Sequence, residues 1–292
     1  RVRAGLDDYA AAWAKKHTEV CEATSVRGEQ SPEVMDLRMG CLRDRRTAVR
    51  EVVDVLAQAD TRRVKKAVVL VARLPGLSRC DDVEALRAEL PPPEDPEVAD
   101  RVQALRERLA QVRVLLHAGD YGPARAEAEA VMQRAEALAY VPLVAEAQLA
   151  RGRSLQQDGD YAEAEEDLRA AYALALEHDH DEVALDSAQD LTFLVGNRLG
   201  RYPEALVWGQ TALPLAERSG KGVEVAGSLA NLGSVFLGQG NAEQAELHYR
   251  RALETREQIP GAAPISMAYT LNNLGTVLHR QGQYEGAKLH LE

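Results

Sequence analysis

Apolar and small residues recur along this chain at three- and four-residue steps, the spacing of helices that each bury one face. Beyond Pro96 the pattern falls into pairs: 97–118 with 122–138, 142–158 with 161–177, 182–199 with 202–218, 222–239 with 242–258, and 263–281 with 284 onward. One short phrase sits inside each pair: a glycine, a turn residue, usually a tyrosine, and then an alanine. It reads Gly119-Asp120-Tyr121-Gly122-Pro123-Ala124, Gly159-Asp160-Tyr161-Ala162-Glu163-Ala164, Gly200-Arg201-Tyr202-Pro203-Glu204-Ala205, Gly240-Asn241-Ala242-Glu243-Gln244-Ala245 and Gly282-Gln283-Tyr284-Glu285-Gly286-Ala287. Successive glycines stand 40, 41, 40 and 42 residues apart. A fixed period of this size predicts a solenoid, in which each hairpin buries its apolar face only against a neighbour. Such an array offers a groove more readily than a catalytic centre.

The turn glycine predicts a left-handed residue that ends the first helix without a Cβ clash. The alanine falls one turn into the second helix, where the two backbones come closest. Gly152, Gly233 and Gly275 each precede the alanine of their own hairpin (Ala164, Ala245, Ala287) by 12 residues. Glycine in mid-helix costs about 1 kcal/mol relative to alanine, so these positions predict tight helix crossings. Ala171, Ala212 and Ala252 follow the turn alanines by seven residues, where the second helix would meet the next repeat. The first and third hairpins carry Val112 and Phe193 in place of the mid-helix glycine, and the fourth has Ala242 for tyrosine. These departures predict wider splay and an irregular stretch near 182–210.

Residues 1–90 predict an N-terminal helical segment. A first helix spans about Leu6 to Thr24, and Ser31-Pro32 caps a second that runs to about Ala59. The second helix's stripe is Val34, Leu37, Cys41, Val49, Val52, Val53 and Leu56. A third follows Asp60-Thr61 through Val64, Val68, Val71 and Leu74, and a short fourth fits Asp81 to Leu90. Pro91-Pro92-Pro93 and Pro96 break the pattern, because proline lacks an amide hydrogen and restricts the residue before it.

Composition narrows the function. Apolar residues make up 46% of the chain and charged residues 28%, with two Phe and two Trp among many Ala and Leu. The net charge of −11 divides into +5 for residues 1–80 and −16 for 81–292. An acidic repeat region does not suit nucleic acid, whose phosphates need a basic surface; a basic or neutral protein partner suits it better. No apolar run reaches the roughly 18 residues of a membrane span, and no signal peptide opens the chain, so a cytoplasmic protein without membrane insertion is expected. Cys21, Cys41 and Cys80 lack metal-site spacing and read as buried free thiols, with a Cys21–Cys41 or Cys41–Cys80 bridge as the alternatives. The chain opens on Arg1 and stops inside an apparent helix, as a piece of a longer protein would.

A small residue in the first helix, Gly-x-Tyr at the turn, and alanines early and late in the second helix resemble the tetratricopeptide repeat. The resemblance covers about 97–292. The 40–42-residue period resembles the kinesin-light-chain subtype, as do Ala252-Leu253-Glu254-Thr255-Arg256-Glu257 and Leu271-Asn272-Asn273-Leu274-Gly275. The fold this implies is all-α: a right-handed superhelix, or α-solenoid, of hairpins 97–139, 142–178, 182–219, 222–259 and 263–292, the last truncated, behind the helical segment 1–90. A second resemblance lies in His17-Thr18-Glu19-Val20-Cys21-Glu22-Ala23-Thr24, Arg27-Gly28-Glu29-Gln30-Ser31 and Asp36-Leu37-Arg38-Met39-Gly40-Cys41-Leu42. These are similar to the segment that joins catalytic domain to repeats in myxobacterial-type serine/threonine protein kinases. That likeness implies the C-terminal regulatory or docking region of a bacterial signalling kinase. A kinesin-light-chain-like adaptor, or the sensor arm of a repeat-containing transcription regulator or phosphatase, are the rival readings.

In the tetratricopeptide fold the concave wall comes from the first helix of each pair. Counting back from each turn glycine places Arg113, Arg153, Asn231, Ser234, Asn272, Asn273, Thr276 and Arg280 near that wall. Amides pair with a ligand backbone, and guanidinium grips a carboxylate bidentately, so these residues are expected to line a peptide groove. No kinase, nucleotide-loop or hydrolase motif occurs in the chain, and neither enzyme activity nor a cofactor is expected. His178-Asp179-His180-Asp181 is the most metal-like cluster, but four consecutive residues in a turn do not converge on one ion. They read as a solvated loop.

Overall fold

A computed structural model describes residues 1–58, 60–87, 93–259 and 265–291. The predicted helix end at Ala59, the end of the fourth helix at Leu90, Pro91 and Pro92 of the proline break and the start of the pair at 263 lie outside the described residues. The chain is all-α and divides into two compact units, Arg1–Leu143 and Val144–Glu292.

The first unit holds α1 (Val2–Ser25), α2 (Pro32–Ala57), α3 (Thr61–Ala72), a 3₁₀ turn (Ser78–Asp81), α4 (Val83–Arg87), and the first hairpin, α5 (Pro96–Ala118) with α6 (Tyr121–Leu138). Ser31 accepts from the Val34 amide at 3.3 Å and Pro32 follows as the first helical residue, so the expected cap forms. Asp95 does the same for α5, accepting from Glu97 and Val98. The helix stripes need correction. Val53, Val64 and Val68 point outward, while Val55, Ala67 and Leu70 are buried. On α3, small Ala67 and Leu70 form the packed face, and Val71 sits against Gly5 of α1, where a Cβ would lie 2.8 Å from its Cγ1. Arg63 and Asp120 form an ion pair of 2.7 Å, and Gln103 donates to Asp44 at 3.1 Å. Helices α2 and α3 thus cover the flank of the first hairpin, burying an end that an open solenoid would expose.

The cysteines are also corrected. Cys41 and Cys80 form a disulfide with Cα atoms 5.5 Å apart, and Cys21 is exposed rather than buried. The bridge fastens the 3₁₀ turn to α2. Arg38 reinforces it by donating to the Cys80 carbonyl at 3.0 Å and pairing with Asp81, which also holds Lys16 of α1 at 2.6 Å.

The second unit holds α7 (Val141–Asp158, whose first turn belongs to the first unit), α8 (Tyr161–Glu177), α9 (Asp181–Phe193), a π turn (Leu194–Arg198), α10 (Tyr202–Arg218), α11 (Gly222–Gly238), α12 (Ala242–Glu257), α13 (Ile265–Arg280) and α14 (Tyr284–Leu291). Every repeated turn glycine is left-handed: Gly119, Gly159, Gly200, Gly240 and Gly282 have φ between 68° and 95°. The opposite turns use the same conformation with other residues, Ala139 and Asp179 at φ 54° and Gly220 at φ 66°. The turn alanines Ala124, Ala164, Ala205, Ala245 and Ala287, and the later Ala171, Ala212 and Ala252, are all buried. Small residues therefore stand at each turn-alanine approach that the sequence period marks, and Leu168, Leu191, Leu194, Leu229 and Leu274 fill the space between them.

Candidate functional site: an aromatic and amide trough on the second unit

The site depends on where each hairpin puts its missing side chain. A Cβ on Gly152 would lie 3.0 Å from Leu168, and one on Gly233 2.9 Å from the Tyr249 ring. Leu168 and Tyr249 both stand four residues after their turn alanine. In the third hairpin the two sizes are exchanged. Phe193 replaces the first-helix glycine, and the residue four after Ala205 is Gly209, against which Leu232 and Thr192 pack. One residue later the helix widens into its π turn, which brings Gly196 against Ala205 and Val235. This turn is the irregularity expected near 182–210, and π turns accompany an inserted residue.

Freed from the hairpin crossing, Phe193 faces an open trough of about 450 Å³. Asn197 of the π turn and Tyr202 at the start of α10 share its wall. Ser234, Leu237 and Gly238 come from α11 and Tyr249 from α12. Tyr269, Asn273 and Arg280 of α13 complete it. Gly238 admits the Tyr202 ring, since a Cβ there would stand 2.4 Å from Cε1. Beneath the trough, Tyr249 is fully buried and shares a hydrogen bond of 2.9 Å with Ser234. Ser234 also contacts the Tyr269 hydroxyl at 3.3 Å, and Asn273 hydrogen-bonds Tyr249. Burial raises the Tyr249 phenol to about 12, so it remains a neutral donor and acceptor at any physiological pH. The floor is thus a closed network of hydroxyl and amide groups, and Tyr269, 53% exposed, carries it to the surface.

Of the residues expected to line a groove, Ser234, Asn273 and Arg280 meet in this trough. Asn272 is exposed, and Thr276 donates back to its carbonyl at 2.9 Å. Asn231 donates to the Gln189 carbonyl at 3.2 Å, a link from α11 to α9. Arg153 reaches from α7 to α9, pairing with Asp190 at 2.5 Å and Asp186 at 3.0 Å. Burial works against the Arg153 charge, but the two carboxylates outweigh it and hold its pKa above the usual guanidinium value. Arg113 is exposed on α5 in the first unit. Arg153 and Asn231 therefore join a ladder between repeats that also includes Gln189–Ser228 at 2.9 Å and His180–Glu146 at 3.2 Å. Sequence reasoning missed Phe193, Asn197, Tyr202, Tyr249 and Tyr269. The signal for Tyr249 was present, because a mid-helix glycine asks what large residue faces it.

The histidine-rich turn is occupied by other work. His180 faces Glu146, Asp181 pairs with Arg218 at 2.6 Å, and Asp179 supplies the left-handed turn residue. Among the described residues no group of three or more His, Cys, Asp and Glu side chains converges as a metal site would require, and no helix is long and apolar enough to cross a membrane.

Comparison with known proteins agrees with this architecture. Models of the tetratricopeptide repeat match residues 145–178, 195–258 and 267–292. No curated protein sequence matches the chain. Among solved structures, BtubC (BKLC) from P. vanneervenii is similar, with a TM-score of 0.57 and 20% identity over 65% of this chain and 78% of that one. Nearly identical TPR-like repeats of a Podosopora anserina kinesin light chain candidate give 0.53 and 19% over 65% and 92%. A Rap protein complexed with Competence and Sporulation Factor gives 0.51 and 12% over 99% and 95%. The matched residues are tetratricopeptide repeats, and the likeness to the solved structures is one of fold. The kinase-like resemblance of the N-terminal segment has no counterpart in these matches.

Proposed function

We propose that this tetratricopeptide-repeat array is a non-enzymatic scaffold that holds an extended peptide in the trough between α9, α11 and α13. The observation that carries the reading is the meeting of Ser234, Asn273 and Arg280 with Phe193, Tyr202 and Tyr269 around one open concavity. Aromatic rings offer rigid contact area at small entropic cost, and the amide of Asn273 can pair with a peptide backbone.

The N-terminal resemblance is what supports reading the array as the regulatory or docking arm of a bacterial serine/threonine protein kinase. A cytoplasmic setting rests on that reading. The Cys41–Cys80 bridge suits an oxidising setting instead, and trapping the thiols inside intact cells decides between the two.

The test is a random-peptide array probed with the whole chain, followed by affinity measurements on the selected peptides. Asn273→Ala and Tyr269→Ala are expected to weaken capture at unchanged helicity. Peptides that bind both variants as tightly as the unaltered chain would move the site elsewhere.

A further inference from the structure

The basic excess of the N-terminal eighty residues is concentrated on one helix and the loop after it. Residues 61–80 hold six Lys and Arg and no Asp or Glu, a balance of +6, whereas residues 1–60 hold 10 against 11, a balance of −1. Helix α3 turns Ala67 and Leu70 inward, and Val71 meets Gly5 of α1. Its other side is uncovered. Val64 is 61% exposed and Val68 47%, and with exposed Ala72 they form a stripe at four-residue steps. Lys65, Lys66 and Arg73 are exposed beside that stripe, and none of the three makes an ion pair among the described residues. Arg63, by contrast, is committed to Asp120 at 2.7 Å, and Asp60 caps the helix by accepting from the Arg63 amide at 2.8 Å. Helix α3 itself contains no carboxylate to neutralise its outer face.

We propose that this face of α3 docks the chain on an anionic lipid bilayer, with Val64 and Val68 entering the headgroup layer and Lys65, Lys66 and Arg73 set against its negative charges. An apolar stripe bordered by cations is the pattern of a helix that lies in the membrane interface. Long lysine stems let the ammonium groups reach the headgroups while the short valines sit below them. The helix lies on the bilayer and does not cross it, in keeping with the absence of a spanning helix among the described residues. Size argues against a protein on this face. The 12 residues of α3 span about 18 Å, and one face of so short a rod is a small part of the about 800 Å² that each partner buries in a stable protein interface. A lipid surface asks for charge and shallow apolar contact, not for matched shape. The net −16 of residues 81–292 does not cancel the attraction, because charges farther off than about 8 Å are screened at physiological salt. Helix α3 lies outside the matched repeats and outside the trough, so the face stands or falls independently of peptide binding there.

The experiment uses the whole chain and extruded vesicles of phosphatidylcholine, alone or with 30% phosphatidylserine, read by co-sedimentation at 50 and 300 mM NaCl. Partitioning onto the phosphatidylserine vesicles is expected to exceed that onto phosphatidylcholine by about ten-fold or more at the lower salt, and to fall at the higher. Lys65→Glu with Lys66→Glu is expected to return it to the phosphatidylcholine level. Val64→Ser with Val68→Ser is expected to lower it about five-fold at both salts. All four side chains are exposed, and circular dichroism confirms that both double variants are folded. Equal partitioning onto the two vesicle types would overturn the proposal, as would a phosphatidylserine preference that survives the lysine reversal. A serine variant that sediments as well as the unaltered chain would overturn the seating of the valines. Capture of soluble poly-L-glutamate through the same lysines, with no vesicle binding, would overturn the lipid reading in favour of an acidic protein.

Discussion

Gly233 and Tyr249 share one volume: a Cβ on Gly233 would lie 2.9 Å from both Cδ1 and Cε1 of the Tyr249 ring. The ring cannot swing aside, since Ser234 and Asn273 hold its hydroxyl. Gly233→Leu is therefore expected to overpack the crossing by about 1–3 kcal/mol and lower the melting temperature by several degrees. Removing the ring is the direct way to relieve the clash. Gly233→Leu combined with Tyr249→Gly should accordingly melt higher than the sum of the two single losses, and strict additivity in thermal melts would count against a shared volume.

The Tyr249 phenol titrates at about 12, raised from 10.0 by burial, and Tyr9 in the other unit is raised to about 12 by the same cause. The folded state favours the neutral phenol, so this stability is fully present below pH 10 and is lost as pH rises from 10 through 12, by about 2–3 kcal/mol for a two-unit shift. Absorbance titration of the phenolates is expected to show two late-ionising tyrosines, and one in Tyr249→Phe. An unchanged titration in that variant would contradict the buried floor.

Closing a loop across 39 residues, the Cys41–Cys80 bridge should contribute about 4 kcal/mol to the first unit through the unfolded state. The two tryptophans separate the units: Trp13, which donates to the Leu42 carbonyl at 2.8 Å, reports on the first and Trp208 on the second. With Trp208→Phe, Cys80→Ser is expected to shift urea unfolding followed by Trp13 to lower concentration. With Trp13→Phe, the transition followed by Trp208 should stay in place.

Ala139 holds a left-handed conformation at φ 54°, where Gly220 serves the corresponding turn two hairpins on. An L-residue there costs about 1–2 kcal/mol, and glycine gives back part of that gain in unfolded-state entropy. Ala139→Gly is expected to raise stability by about 0.5–1 kcal/mol in urea titration, and a loss would show that the turn is not strained.

Helix pairing was legible in the sequence because one physical demand, a left-handed residue at each hairpin tip, was met by glycine every time from Gly119 to Gly282. The buried turn alanines followed from the same period. The face of α3 was not legible: its valines fit a helical stripe, but Ala67 and Leu70 fit it equally, and only the neighbouring helices decide. Part of the site was legible for Ser234, Asn273 and Arg280, which share helix faces with the turn count. Arg153 and Asn231 share those faces too, yet partners on α9 take them up, and no one-dimensional pattern reports a partner 37 or 42 residues away. Phe193 looked like a defect because the π turn that brings Gly196, in its place, against Ala205 leaves no mark in the repeat period. Pairing of Cys41 with Cys80 depends on a loop-to-helix contact that spacing does not specify.

The account stands on the claim that the concavity between α9, α11 and α13 is the binding surface. A crystal structure of the whole chain with an array-selected peptide tests it most directly. The expected result is peptide density within hydrogen-bond distance of Asn273 and Arg280 and in van der Waals contact with Phe193. Density confined to the outer faces of α10 and α12, with the trough holding only solvent, would contradict it.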